Sequence, residues 1–347
     1  MHILGLANGS VDGNSTILLK AALQAAKNSN PNTTTSWIHI PSLSYPPNAG
    51  PLANAPDVSM GSNAGNNQHG QSASSSNNPI PDDRPALYEA IMHADALIFS
   101  SAVYSHQPAG SLKAGLDKIL GPYTDPVFAS RILDGQARGD AKYAGMAVDA
   151  RVLRPRVAGF LAVGGSTTPD QFAMALPTLH LFAYGLHVKV VDQHVVGGCA
   201  NPGAVVHAQE GEVLRRAEEL GRRVASQMGK GFDEAEYLGP EVEGGCPHCH
   251  LAKYDFFGGS EMKMGCVVCG NTGRFVVGDE GKVKVRWDED SDYCCITWRG
   301  KQKHLDDIFK NGSAEWKGLQ GSKEQLREWR ELDVGRVELP SEQQAKL

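Results

Sequence analysis

The first 27 residues read Met1-His-Ile-Leu-Gly-Leu-Ala-Asn-Gly-Ser-Val-Asp-Gly-Asn-Ser-Thr-Ile-Leu-Leu-Lys-Ala-Ala-Leu-Gln-Ala-Ala-Lys27, and their reading decides the fold. Ile3 to Leu6 has the length and apolar content of a buried strand. From Thr16 to Lys27 apolar residues recur at helical spacing among strong helix formers. The intervening loop therefore ends at a helix N-terminus, where unpaired N–H groups and the positive end of the helix dipole favour a bound phosphate. Gly9 and Gly13 let the main chain come close to it, and Ser10, Asn14, Ser15 and Thr16 add side-chain donors. The spacing is neither the dinucleotide pattern G-x-G-x-x-G nor the triphosphate pattern ending in Gly-Lys-Ser/Thr. A monophosphate such as that of FMN fits better. An ordinary turn capped by Ser or Asn is the alternative.

Working outward, Thr34 to Ile40 reads as a second strand. Residues 46–82 are dominated by Asn, Ser, Gly, Pro and Ala, a composition that cannot offset the entropy of ordering its own backbone, and they are expected to form a flexible insertion. A helix follows over 84–93, then a strand at Ala96 to Ser100, a loop from Ser101 to Gly110 and a helix over 111–120. Residues 121–155 read as an irregular surface excursion. Val157 to Val163 is a strongly apolar strand ending in Gly164-Gly-Ser-Thr-Thr168. A helix to about Tyr184, a strand over 187–192 and a long amphipathic helix over 204–228 complete the series. Such alternation predicts an α/β fold, a doubly wound five-stranded parallel sheet covered on both faces. Ligands of these sheets sit beyond the carboxyl ends of the strands, where strand order reverses. Three loops rich in small or polar residues leave those ends, at 8–15, 101–110 and 164–168.

The chain has 347 residues, 41% of them hydrophobic, which suffices for one substantial core and a further small unit. Its formal net charge of -6 argues against non-specific nucleic-acid binding, which needs a basic surface. No run approaches the roughly 20 apolar residues of a membrane helix. The N-terminus lacks the basic and apolar segments of a signal peptide, so a cytoplasmic protein is expected.

Taken together, the three loops resemble those of the flavodoxin-like superfamily, in particular the NADPH-dependent FMN reductase and iron-sulfur flavoprotein group. The resembling residues are Gly9-Ser10 with Gly13-Asn14-Ser15, Ala94 to Phe99 running into Val103-Tyr104, Gly110 to Asp117, and Gly164-Gly165. The similarity covers about residues 1–230. It implies that Ser10, Asn14 and Ser15 hold the FMN phosphate with Thr16 beside them. It also implies that Ala102, Val103, Tyr104, Ser105 and His106 lie along the isoalloxazine ring, and that Gly164, Gly165 and Ser166 flank its other side. A homodimer is implied as well. Two departures stand out. The third loop reads Ala102-Val-Tyr-Ser105 where the family often has Pro-x-Tyr-Trp, and the iron-sulfur branch's compact cysteine cluster after the second strand is missing, so no flavin-adjacent cluster is expected.

Seven cysteines occur, none before Cys199. Cys246-Pro-His-Cys249 and Cys266-Val-Val-Cys269 are sixteen residues apart. Paired knuckles at this spacing bring four thiolates around one tetrahedral metal, for which Zn2+ is the default, and the iron site of a rubredoxin is the sharper alternative. His248 and His250 are expected to be exposed and not to be ligands. Arg274 to Val277 and Lys282 to Trp287 alternate like antiparallel strands, so residues 240–347 read as a zinc-ribbon-containing C-terminal domain. Cys294-Cys295 reads as part of a strand, and Cys199 as a small packed residue.

The expected activity is FMN-dependent transfer of reducing equivalents from NAD(P)H to a small quinone-like or unsaturated, aromatic acceptor. His106 and Tyr104 are the candidate proton donors. Arg151, Arg154 and Arg156 are charged groups within reach of an NADPH phosphate in principle, although a solvated surface role suits them better. The rival expectations are a non-catalytic flavin carrier and a ribbon-based interaction scaffold.

Overall fold

The computed structural model describes residues 1–46, 51–52, 81–278, 281–289, 291–335 and 337. Most of the insertion expected at 46–82 lies outside the described residues. Contacts divide the chain into two compact units, residues 1–304 and 305–347.

The first unit is built on five parallel strands, β1 (His2–Asn8), β2 (Thr34–His39), β3 (Ala96–Tyr104), β5 (Arg156–Val163) and β6 (Val188–Val196), in the order β2-β1-β3-β5-β6. The two-residue β4 (Gln107–Pro108) folds back on β3. Along β1, β3 and β5 side chains alternate between the two faces. Ile3, Ala7, Ile98, Val157 and Leu161 point to one core, and Leu4, Leu6, Leu97, Phe99 and Phe160 to the other. Burial on both faces explains why these strands are apolar throughout instead of alternating with polar residues.

Helices α1 (Asn14–Ser29) and α6 (Glu212–Gln227) close the first face through Leu18, Leu19 and Leu23 and through Leu220 and Val224. The second face is covered by α2 (Arg84–His93), α3 (Gly110–Asp117), α4 (Pro126–Ala137) and α5 (Ala175–Tyr184). Helix α4 corrects the expected irregular excursion. Asp125 caps it by accepting from Phe128 N at 2.9 Å, Pro126 begins it, and Val127, Phe128, Ala129 and Ile132 are buried. The long helix expected from 204 starts only at Glu212, because Gln209, Glu210 and Gly211 take left-handed backbone angles.

Asp192 of β6 is fully buried and ties α6 to the sheet. Arg216 Nη1 donates to its Oδ2 at 2.7 Å, Arg216 Nη2 reaches Oδ1, and Arg223 Nη1 donates to Oδ2 at 3.1 Å. On the outer side of β6, Leu238 N donates to Val191 O at 2.7 Å.

The same unit carries a four-stranded antiparallel sheet, order β10-β9-β8-β7, of β7 (Tyr254–Gly258), β8 (Lys263–Cys266), β9 (Thr272–Val277) and β10 (Val283–Trp287). The expected β9 and β10 pair, and β7 and β8 extend them. Cys294-Cys295 lies in a turn and not in a strand: Cys295 N donates to Cys269 O at 2.7 Å, which anchors the turn on the second knuckle. Helices α7 (Trp298–Gly321) and α8 (Lys323–Glu331) follow. No helix among the described residues is long and apolar enough to cross a membrane.

Candidate active site and metal centre

Strand register brings the three loops together. Asn8 at the end of β1 lies opposite Ser101, and Ala102 lies opposite Val163 at the end of β5. A Cβ on Gly9 would stand 3.3 Å from Ala102 Cβ, and one on Gly164 would stand 3.5 Å from Val103 Cβ, so the first loop touches the second and the second touches the third. The chain crosses from β2 over β1 to β3, which makes this edge the switch point of the sheet.

The first loop spends side chains on holding the fold, partly against the loop that follows β6 and partly within itself. Asn14 Nδ2 donates to Cys199 O and Asn201 O, each at 2.9 Å, and Thr16 Oγ1 donates to Ser10 O at 3.0 Å. Ser15 is buried beneath Gly9, where a Cβ would come within 2.4 Å of its Oγ, while Ser10 is exposed. Helix α1 starts at Gly13 without a side-chain cap and with no acidic residue in its first turn. Thr16 N and Ile17 N bond back to Gly13 O, and the amides of Asn14 and Ser15 open the helix beyond them. A phosphate dianion fits this uncapped, anion-free N-terminus.

The second loop is a tight hairpin. Val103 pairs with Pro108 and Tyr104 with Gln107, leaving Ser105 and His106 as the two turn residues, with φ of 48° and 73°. Such turns favour Asn-Gly, and two residues with Cβ atoms in the left-handed region cost on the order of 1 kcal/mol each. Neighbours hold the turn in place. Met174 N donates to His106 O at 3.1 Å, and His106 Nδ1 donates to Asp170 O at 2.9 Å. That carbonyl can only accept, so Nδ1 carries a hydrogen and Nε2 is the ring atom left to exchange a proton. Hydrogen bonds from the side chains of Thr168 and then Gln171, with His106 nearby, hold the Asp170 carboxyl below its usual range. Tyr104 is 60% exposed, whereas Ala102 and Val103 are half-buried.

Behind these loops stands Asn8, 0% exposed, which sequence reasoning did not single out. It donates to Ser101 Oγ at 2.8 Å and to Ala109 O at 2.9 Å, and accepts from Ser111 Oγ at 2.6 Å. A polar residue closing an apolar strand was its only signal. His39 was missed likewise, and its Nε2 lies 2.7 Å from Gly9 O. The third loop packs on residues 197–201, with Cys199 N donating to Gly164 O at 3.0 Å and Gly198 N to Ser166 O at 2.7 Å.

The three arginines lie elsewhere, at the amino end of β5 and so at the opposite edge of the sheet. Arg151 pairs with Glu89 and Asp149, and Arg154 with Asp95. Arg156 is buried and donates to the carbonyls of Met92, Ala94, Arg151 and Arg154. Burial pushes its guanidinium down to about 10.

A family model described as NADPH-dependent FMN reductase matches residues 1–201. The chain belongs to this family. It is thus a flavin-dependent NAD(P)H oxidoreductase, and its uncapped first loop is suited to the FMN phosphate. Flavone synthase cfoJ of Aspergillus candidus is 33% identical over 319 residues, covering 91% of each chain. Among solved structures, a flavone reductase superposes with a TM-score of 0.70 over 98% of this chain and 100% of its own, at 23% identity. An NADH:FMN oxidoreductase in its apo form covers 68% of this chain and 94% of its own, with a TM-score of 0.41 and 18% identity.

The reductase carries its four knuckle cysteines as one buried cluster. The Sγ atoms of Cys246, Cys249, Cys266 and Cys269 lie within 4.8 Å of one another, and the 246–269 and 249–266 pairs are each 3.5 Å apart. Tetrahedral zinc with metal–sulfur bonds of about 2.3 Å sets its sulfurs about 3.8 Å apart, so the donor set fits such an ion. His248 is half-buried. His250, expected to be exposed, is buried instead, stacked at 3.7 Å on Tyr237 with Nδ1 3.1 Å from Glu241.

Proposed function

We propose that this FMN reductase transfers reducing equivalents between NAD(P)H and the C2–C3 bond of a flavone-type substrate, a conjugated aromatic enone. The observation that carries this reading is the curated flavone synthase, whose similarity runs through the flavodoxin-like half and the cysteine module alike. In the reducing direction a hydride reaches the carbon β to the carbonyl and a proton the carbon α to it. Bound FMN supplies the hydride relay.

The chain's own residues do the rest. Ser10 and the amides of Asn14 and Ser15 bind the phosphate, with Thr16 bracing the loop. The main chain of Ala102, Val103 and Ser105 supports one edge of the ring, and Gly164, Gly165 and Ser166 flank the other. Tyr104 offers an exposed aromatic face to a planar substrate. With both ring nitrogens protonated, His106 gives its Nε2 proton to the α carbon and is left as the Nδ1–H form that the Asp170 carbonyl holds; in the reverse direction that form's bare Nε2 takes the proton. We take residues 1–230 as the FMN domain and the module beyond 240 as a ribbon stabilised by Zn2+. The working form is a cytoplasmic homodimer.

An anaerobic visible spectrum with metal analysis tests this. A bound flavin that bleaches with NADPH and recovers on adding flavone, with one zinc per chain, is the expected result. A flavin that ignores both nucleotides would leave a carrier, and a chain that takes up no FMN on reconstitution would overturn the assignment.

A further inference from the structure

Helix α5 runs between the two sites described above and is held at both. Just before it, Met174 N and Asp170 O grip His106 of the strained hairpin. Leu176 packs at once against the main core and against the apolar shell of the cysteine cluster. In mid-helix, buried His180 meets Gln193 of β6, with Nε2 2.8 Å from Oε1, and Gln193 Nε2 donates to the carbonyl of the metal-ligating residue Cys249 at 2.9 Å. The His180 ring stands edge-on to Phe160, 5.0 Å between centroids. At the far end, buried Lys301 donates to Tyr184 O. Ten residues of helix span about 15 Å.

We propose that Gln193 and His180 are positioning residues that couple the four-cysteine metal centre to the flavin-side hairpin through α5. The Cys249 carbonyl belongs to a knuckle whose turn is shaped by metal ligation. Without the metal the knuckle relaxes, the carbonyl moves off Gln193, and the buried Gln193 amide and Cys249 carbonyl lose the bond between them. The helix then shifts or loosens to satisfy them. Its N-terminal end carries that change to Met174, Asp170 and His106, where a left-handed turn without glycine depends on outside support. Coupling of this kind is reciprocal: whatever factor metal adds to FMN affinity, FMN adds to metal retention.

The inference uses the FMN reading only for its optical readout, and the test has an independent arm. In the full-length protein, stripping zinc with a chelator is expected to weaken FMN binding about tenfold, within the usual range of such couplings. Bound FMN is expected to slow zinc transfer to the chelator correspondingly. Gln193→Met keeps the volume and removes both hydrogen bonds, and His180→Phe keeps the ring contact with Phe160. Both variants are expected to retain one zinc per chain and to bind FMN equally with and without it. Zinc removal that weakens FMN binding as much in the variants as in the unaltered chain, or not at all in the latter, overturns the proposal.

Hydrogen exchange on the unaltered chain supplies the second arm and needs neither variant nor flavin. Zinc removal is expected to deprotect the amides of 104–109 and 175–184 while β1 and α1 stay protected. Unchanged or uniformly lost protection counts against the coupling. A chain that binds no FMN yet shows the local pattern would sink the assigned activity and leave the coupling standing.

Discussion

Ser111 Oγ, at the start of α3, donates to Asn8 Oδ1 across 2.6 Å and so ties the end of the first strand to the helix that follows the β3–β4 hairpin. Asn8 spends its two amide hydrogens on Ser101 and on the Ala109 carbonyl, so one side chain fixes the spacing of two loops. Asn8→Ala leaves those partners unpaired in a buried place, each at about 1–3 kcal/mol. The expected result is FMN affinity weakened at least tenfold with an unchanged far-ultraviolet circular dichroism spectrum, measured by flavin fluorescence titration.

His106→Asn keeps a residue that tolerates the left-handed angle and removes the ring. Reduction of the bound flavin by NADPH is expected to continue at its ordinary rate. Reoxidation by flavone should slow by roughly 10²–10⁴-fold, the scale of a lost proton donor. Stopped-flow measurement of the two half-reactions separates them, and equal slowing of both would remove His106 from the chemistry.

Asp192→Asn removes the buried carboxylate that Arg216 and Arg223 share at the junction of β6 and α6, leaving Arg223 its half-exposed pair with Glu219. Breaking a buried pair from one side costs about 3–5 kcal/mol. Thermal unfolding is the readout, with a midpoint lower by on the order of 10 °C. The folded fraction should bind FMN as before, since this pair lies away from the three loops.

Acid should weaken the protein before it reaches the carboxylates. Burial pushes His180 down to about 4, and burial, then Lys301, pushes His187 down to about 3. The unfolded chain protonates both at their ordinary value of 6.5, so it binds more protons than the folded chain below that pH. Stability is therefore intact above 6.5 and falls as pH drops from there, by about 2 kcal/mol per histidine at pH 5. Urea midpoints between pH 7 and 5 measure it. His187→Asn, which suits the left-handed angle of 49° there, should reduce the slope by about one proton.

Much of this molecule was legible where local pattern and tertiary role agree. The switch from a short apolar run to helical spacing across Gly9 and Gly13 marked β1, the loop after it and α1, and cysteine spacing alone marked the cluster. Features that depend on distant partners were not legible. Asn8 meets residues 93 to 103 positions away, and nothing near it in sequence announces them. Helix α4 opens on the consecutive apolar run Val127-Phe128-Ala129, which masks the helical spacing of buried Phe128, Ile132 and Gly135, although Asp125-Pro126 was an available start signal. His250 looked exposed because its burial comes from Tyr237, a residue outside the knuckle. The Ser105-His106 turn was unforeseen because sequence preference opposes it, and only the bonds from Met174 and Asp170 make it tenable.

The bond from Leu238 N to Val191 O has a consequence for anyone who would shorten this chain. β6 is the last strand of the parallel sheet, and open strand margins recruit other strands. A version ending at residue 230 would keep every residue of the three loops and still lose the segment that shields that margin. Such a minimal flavoprotein should self-associate in proportion to its concentration, and its builder would need to supply a replacement cover or a charge on β6 before asking what it catalyses.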